Sequence, residues 1–306
     1  LGLAVERIKE GEYKPALNTM SEPIRIGFLK LGNIGTAPMI EFLLDERAER
    51  NDISTRTVGS GSKIGPAEAE ECAKGLLDLR PQLGIVTSPN AALPGPTRAR
   101  QLLAEAGVPT IVVSDGPAKK ALKQLEEGGF GYLIIEGDPM IGARREFLDP
   151  VEMSIFNSDV LKVLSITGAL KLVAEELDKA IMSLKGGERP TLPRVVVDKE
   201  RAADAAGFSN PHARAKAMAA YDICCRVAAI TTEACFIVKE WERYTVLAAA
   251  GHEMMRTASR LADEAREIEK GGDAVLRTPH SDDGTALQKR KLLEKPRRQG
   301  TTGAVN

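Results

Sequence analysis

Five short apolar runs in this chain each end in small, polar or charged residues. Ile24–Leu29 runs into Lys30, Gly32, Asn33, Gly35 and Thr36. The stretch "STRTVG" (54–59) runs into Ser60, Gly61, Ser62 and Lys63. "LGIVTS" (83–88) delivers Ser88 and Asn90, "PTIVVS" (109–114) delivers Ser114, Asp115 and Gly116, and "GYLIIE" (131–136) delivers Glu136, Asp138 and Met140. Glycine loops, lysine and hydroxyls suit a phosphate or carboxylate ligand, and the helix start after Gly35 suits an anion. Each loop alone reads as an ordinary turn, since Gly, Pro, Asn and Asp are favoured there for backbone reasons. Five together, on one edge of one sheet, read as a binding cleft.

The first loop tests which anion. "KLGNIG" places Lys30 where the nicotinamide fingerprint G-x-G-x-x-G has its first glycine. The second strand ends in Val58, Gly59, Ser60 and Gly61, without the acid that would bind a ribose; Asp52 lies at its other end. Both departures count against a dinucleotide. Other chemistry is thinly represented. "GHEMMR" (251–256) has Arg256 where a zinc hydrolase motif needs a second histidine, so His252 reads as a polar helix residue. No G-x-S-x-G elbow is present, and three histidines offer little for a triad. Cys72, Cys224, Cys225 and Cys235 lack C-x-x-C spacing, so no metal is expected and buried thiols of a reducing, cytoplasmic compartment are.

These residues need elements to hold them. Helical stretches at about 36–49, 66–78, 95–106 and 117–127 alternate with the five strands. Short, continuously apolar strands separated by helices predict an α/β fold, a doubly wound, mainly parallel Rossmann-like sheet. The chain divides on this reading into an N-terminal extension (1–20), an α/β cofactor-binding domain (21–150), a helical domain with one returning strand (151–275) and a C-terminal hairpin with basic tail (276–306). The helical part comprises 151–185, strand 194–198, and an Ala-rich region over about 211–270, with a break expected near Gly251. Between Met218 and Ile230 small and apolar residues nearly encircle the helix, as in a bundle or a subunit interface. The tail residues Lys289, Arg290, Lys291, Lys295, Arg297 and Arg298 read as a solvated end, with a clamp on an acidic cofactor tail as the alternative. A net charge of -1 gives no basic face for nucleic acid, and aromatics at 4% give no stacking platform. No apolar run approaches the ~20 residues of a membrane span.

The assembly of "KLGNIGT", "VGSGSK", "TSPNAALPGPTRAR", "SDGP", "YLIIEGDPMIGARREFLDPVEM", "NPHARAKAMAAYDIC" and "RTPHSDDGTALQKRKLLEKP" closely resembles the coenzyme F420-dependent methylenetetrahydromethanopterin dehydrogenase family, over nearly all of residues 22–298. "KLGNIGT" together with "EGDPMIGARREFLDP" is the specific part; GNIG alone is not. The resemblance implies an oxidoreductase of archaeal one-carbon metabolism and methanogenesis. It would pass a hydride reversibly from methylene-tetrahydromethanopterin to the deazaflavin F420, with no acid–base residue required. The deazaflavin carries a phosphate and a glutamate tail but no adenosine, which matches the cleft chemistry. Lys30, Gly32, Asn33, Gly35, Thr36, Ser60, Gly61, Lys63, Ser88 and Asn90 would then bind cofactor. Asp115, Glu136, Asp138 and Met140 are candidates for the pterin side, Glu136 and Asp138 with the alternative of capping their turn. A homo-oligomer built from dimers, a hexamer in the family, is implied too. The alternatives are an NADP- or tetrahydrofolate-using homologue, or a non-catalytic cofactor-binding sensor.

Overall fold

A computed structural model describes residues 22–45 and 50–298. The extension expected over 1–20 and the end of the helix expected over 36–49 lie outside the described residues. The first half alternates as its apolar runs dictate: β1 (Ile24–Lys30), α1 (Thr36–Leu44), β2 (Ile53–Gly59), α2 (Pro66–Leu77), β3 (Leu83–Ser88), α3 (Pro94–Glu105), β4 (Thr110–Asp115), a 3-10 turn (Gly116–Ala121), α4 (Leu122–Glu127) and β5 (Gly131–Ile135). β3, β4 and β5 are buried at every position, as unbroken apolar strands covered on both faces must be. Then follow α5 (Pro150–Thr167), α6 (Ala169–Lys185), β6 (Arg194–Val197), α7 (Lys199–Ala206), α8 (Pro211–Thr232) and α9 (Trp241–Gly271), with β7 (Leu287–Gln288) and β8 (Arg297–Arg298) forming a small antiparallel pair.

Helix starts follow local rules. Proline stands in the first turn of α2, α3, α5 and α8, where its missing N–H is no loss. Asp149 caps α5 by accepting from the Glu152 amide at 2.7 Å, and Asn210 caps α8 by accepting from the His212 amide at 2.8 Å. The expected helix over 151–185 is divided by Gly168, at φ 102°, where a Cβ would stand 2.0 Å from the Ala202 carbonyl oxygen. Only glycine fits that turn.

The six strands β1 to β6 form one parallel sheet in the order β2-β1-β3-β4-β5-β6. Alternate residues of each strand feed opposite faces. Ile26, Phe28, Ile85, Val113 and Leu133 meet α1, α5, α6, α8 and α9, whereas Leu29 and Val86 meet α2 and α3. The core therefore runs continuously across residue 150, and the returning strand completes the same sheet.

One expectation about the helical half and one about the tail are corrected. The Ala-rich region breaks at a π turn (Glu233–Ile237) and extended Val238, not near Gly251. Gly251 lies inside α9, where a Cβ would stand 3.1 Å from Thr231 Cγ2, so its glycine serves close packing of α9 on α8. The reading of the tail as a clamp on a cofactor also fails. Asp282 O accepts the Asn51 amide at 3.0 Å, Gly284 packs on Asp52, and Arg290 donates to Gly207 O and Ala274 O, each at 2.9 Å. Asn51 and Asp52 precede β2, so this segment lies at the amino edge of the sheet, opposite the strand ends where a ligand would sit.

Candidate functional site

Parallel pairing aligns the strand ends. Lys30 pairs with Gly59 and Thr87, Ser88 with Ser114, and Asp115 with Ile135. The order reverses between β1 and β3, since the chain leaves β1 toward β2 and crosses back to β3. That reversal opens a crevice between the loops after β1 and β3 at the carboxyl edge. All five predicted loops therefore converge on one edge.

The loop after β1 is shaped by close approach. Gly32 takes φ +76°, and a Cβ there would stand 2.7 Å from Ile64 Cγ2 and 3.2 Å from Pro89 Cδ. Asn33 is exposed, while Gly35 and Thr36 are buried. Lys30 does not present a free cation to the cleft: its Nζ lies 2.8 Å from Glu41 Oε2 on α1. A carboxylate of the protein therefore already offsets part of its charge.

The helix start after Gly35 is also taken. Asp138, at 0% exposure, accepts from the Gly35 amide at 2.7 Å, from the Thr36 amide at 2.8 Å and from the Thr36 hydroxyl. Burial pushes its carboxyl pKa up, and these donors pull it back only in part. Asp138 thus does the capping that was its alternative role, but for α1 rather than for its own turn.

The other cofactor-side residues lie along the same edge. Ser60 donates to Lys63 O, closing a turn in which Gly61 takes φ +61° with open space where a Cβ would point. Gly61 and Lys63 are exposed. Ser88 is buried, and its Oγ has no partner within the protein. Its carbonyl accepts from Ser114 Oγ at 2.6 Å, which in turn accepts from the Ala91 amide at 3.0 Å. Asn90 Oδ1 accepts from the Ala92 amide at 3.0 Å, leaving its amide NH2 as a donor.

On the β4–β5 side, carboxylates gather. Asp115 is 3% exposed and accepts from the Gly116 amide at 2.5 Å. Burial, and then the nearby charges of Asp138 and Glu136, hold its pKa well above the ordinary carboxylate range. Glu136 is half-buried and paired with Lys119. Met140 is half-buried on the chain leaving β5. Of the three carboxyls, Asp138 has three donors and Glu136 has a cation, whereas Asp115 has one amide. The arrangement gathers under-compensated carboxyl groups at one end of an otherwise anion-tolerant edge.

Sequence reasoning missed the residues that lock this edge to the helices. Tyr221 on α8 accepts from the Gly137 amide at 3.2 Å and donates to Val197 O at 2.6 Å, and a Cβ on Gly137 would meet its ring at 2.9 Å. Val160 on α5 fills the space over Gly35, 2.4 Å from where a Cβ would stand. The glycines themselves were the available signal. His252 is a core side chain: Nδ1 lies 2.9 Å from Glu152 Oε1, and Phe147 and Phe156 flank the ring at 4.7 and 4.4 Å.

Comparison with known proteins bears on what such an edge binds. Residues 24–297 match the family model described as methylene-5,6,7,8-tetrahydromethanopterin dehydrogenase. The F420-dependent methylenetetrahydromethanopterin dehydrogenase of Archaeoglobus fulgidus is 55% identical over 273 residues, covering 89% of this chain and 99% of the relative. The enzyme of the same name from Methanothermobacter marburgensis is 49% identical over the same shares. Among solved structures, that of F420 dependent methylene-tetrahydromethanopterin dehydrogenase in complex with methylene-tetrahydromethanopterin and coenzyme F420 superposes with a TM-score of 0.87 at 45% identity. It covers 90% of this chain and 99% of that one.

Proposed function

The chain belongs to the methylene-5,6,7,8-tetrahydromethanopterin dehydrogenase family, and from that premise we propose that its carboxyl-edge crevice holds F420 and the pterin side by side for reversible hydride transfer. The activity is that of an F420-dependent oxidoreductase of one-carbon metabolism and methanogenesis. When bound, the deazaflavin supplies the ring carbon C5 that takes the hydride from the methylene bridge, and a solvent proton balances its reduction.

The residues present fit that coenzyme. Its phosphate and glutamate tail need donors and a cation, which the exposed Ser60–Lys63 turn offers at the rim. The buried Ser88 hydroxyl, lacking a protein partner, and the Asn90 amide are donors with capacity to spare deeper in. Gly61, with open space at its Cβ position, allows a ligand close to the backbone. Gly32 and Gly35 keep the first loop tight against Pro89 and Val160, which fixes the floor of the crevice. In this reading Lys30 and Thr36 shape the loop from behind.

On this reading Asp115, Glu136 and Met140 face the pterin. Oxidising a neutral methylene bridge leaves a cationic methenyl product. A cluster of carboxyls held short of compensation gains more from a cation than from a neutral ligand, so it stabilises the transition state selectively. The chain's remaining task is to hold two flat rings in register and keep water away. The single observation that carries this reading is the under-compensated Asp115 at the end of a strand edge rich in anion donors.

The test is optical. Adding methylene-tetrahydromethanopterin to the protein with F420 should bleach the deazaflavin's visible absorbance, and methenyl-tetrahydromethanopterin with reduced F420 should restore it. Turnover with NADP or with methylene-tetrahydrofolate in place of either partner, or binding without turnover, would sink it.

A homo-oligomer built from dimers belongs to the same proposal. Phe236, Ile237, Trp241 and Val246 are each more than half exposed around the π turn and the start of α9, an apolar surface that a second copy would cover. Sedimentation should give a multiple of the 32.9 kDa chain mass, and a monomer at micromolar concentration would contradict it. Among the described residues no helix is long and apolar enough to cross a membrane, and the unbridged cysteines go with a cytoplasmic location.

A further inference from the structure

In dinucleotide sites built on this kind of sheet, the pyrophosphate sits at the N-terminus of the helix that follows β1, drawn by its unpaired amides and its dipole. Here every amide of that first turn is committed. Gly35 N–H and Thr36 N–H donate to Asp138 at 2.7 and 2.8 Å. The Ala37 amide donates to Ile34 O at 3.2 Å, and Pro38 has no N–H to give. The Thr36 hydroxyl, the remaining donor at that turn, also goes to Asp138. Asp138 is wholly buried and Thr36 is 1% exposed. Val160 closes the approach over Gly35.

We propose that Asp138 is a specificity-determining and positioning residue: an internal carboxylate that occupies the anion site of α1 and so closes the crevice to dinucleotide pyrophosphates. This rests on the reading of the crevice as an F420 site and adds a cause for its selectivity. The same three bonds fix the loop from Gly32 to Thr36, so that the anionic parts of the coenzyme are directed to the β2 and β3 loops. Asp138 acts through that loop and touches neither ring. A phosphate brought to Gly35 would have to displace a buried carboxylate of its own sign, from donors that cannot serve both.

In the intact enzyme, hydrogen exchange at the Gly35 and Thr36 amides should be slow and unchanged by millimolar inorganic pyrophosphate, while F420 slows exchange in residues 60–63. Faster exchange there than in the rest of α1, or a change at these two amides on adding pyrophosphate, would overturn it. In Asp138→Ala/Val160→Ala and Asp138→Ser/Val160→Ala, which free the donors and open the approach over Gly35, inorganic pyrophosphate should bind about tenfold or more tightly than to Val160→Ala alone by calorimetry, and NADP should gain in step. A folded variant that gains no pyrophosphate affinity would overturn it. Should neither variant fold, the exchange experiment on the intact enzyme decides. Bleaching of F420 by the intact enzyme is read separately: its failure strikes the F420 reading, whereas unaltered pyrophosphate binding in the variants with F420 turnover intact strikes only the role of Asp138.

Discussion

Asp115→Asn should slow methylene oxidation by about 10²–10³-fold, some 2.7–4 kcal/mol of lost transition-state stabilisation, and at the same time make the ligand-free protein more stable at pH 7. The two effects have opposite signs because they share one cause. Asp115 is buried between like charges with a single amide donor, so its ionised form is disfavoured when no cation is present. Its folded pKa lies well above its unfolded one, for burial first and the charge of Asp138 next. The native state therefore binds the proton more tightly than the unfolded chain, and this group's contribution to stability falls as pH rises from about 4, the unfolded carboxyl value, toward the folded one. Asparagine keeps the acceptor for the Gly116 amide and removes the charge. Thermal denaturation of the variant should therefore show a higher midpoint at pH 7 and a shallower decline across that window. A structural role alone would lower activity and stability together. Steady-state rates with F420, measured beside the melting curves, separate the two.

Asp52→Ala should cost about 3–5 kcal/mol, the range for breaking one side of a buried ion pair. Asp52 and Arg50 are 3% exposed at their side chains and meet as a two-pronged pair at 2.9 and 2.8 Å, with Lys185 at 3.7 Å. Gly284 packs so closely on this carboxylate that a Cβ would stand 1.9 Å from Oδ2. The pair thus joins the entry of β2 to the C-terminal segment, across the edge of the sheet farthest from the crevice. Burial alone would raise the Asp52 pKa, but the Arg50 bonds and charge, with Lys185, bring it below the ordinary value. A lowered folded pKa means the stabilisation is fully present above about pH 4 and is lost as pH falls through the folded value. Urea denaturation of the variant and the parent should differ by the full amount at pH 7 and converge in strong acid. A difference below about 1 kcal/mol at pH 7, the worth of an exposed pair, would contradict the buried-pair account.

The sheet was legible because its strands are short, apolar and punctuated by glycine and proline, which leaves few alternatives to parallel strands with crossover helices. β1, β3 and β5 are each placed within a residue of expectation. The break between α8 and α9 was not legible. Gly251 looked like the interruption, but in a tightly packed helix pair glycine permits approach, and the real turn at 233–240 carries no proline or glycine. The strand-end residues were found by position alone, since any parallel sheet brings its carboxyl ends together. Their partners were not, because the Glu41 that offsets Lys30 and the Asp138 that caps α1 are set by tertiary approach. Asp138 lies 103 residues from Gly35, and no local pattern marks a carboxylate as the cap of a helix that distant. In the tail, Lys291, Lys295, Arg297 and Arg298 are exposed as a solvated end should be, but the pattern did not show that Arg290 spends its guanidinium on backbone carbonyls at the far edge of the sheet.

On the proposed reading, coenzyme and pterin meet at the carboxyl edge between β1 and β3, with the anionic tail on the β2 and β3 loops. A crystal structure of the protein soaked with F420 and methenyl-tetrahydromethanopterin tests it in one measurement. The expected result is the deazaflavin across that edge, hydrogen bonds from the Ser60–Lys63 turn and from Ser88 or Asn90, the pterin cation beside Asp115, and the Asp138 carboxylate still on the Gly35 and Thr36 amides. Coenzyme phosphate on those two amides, or either ligand in the groove that Leu170, Ala174 and Asp178 of α6 form with Leu276 and Pro279, would contradict it.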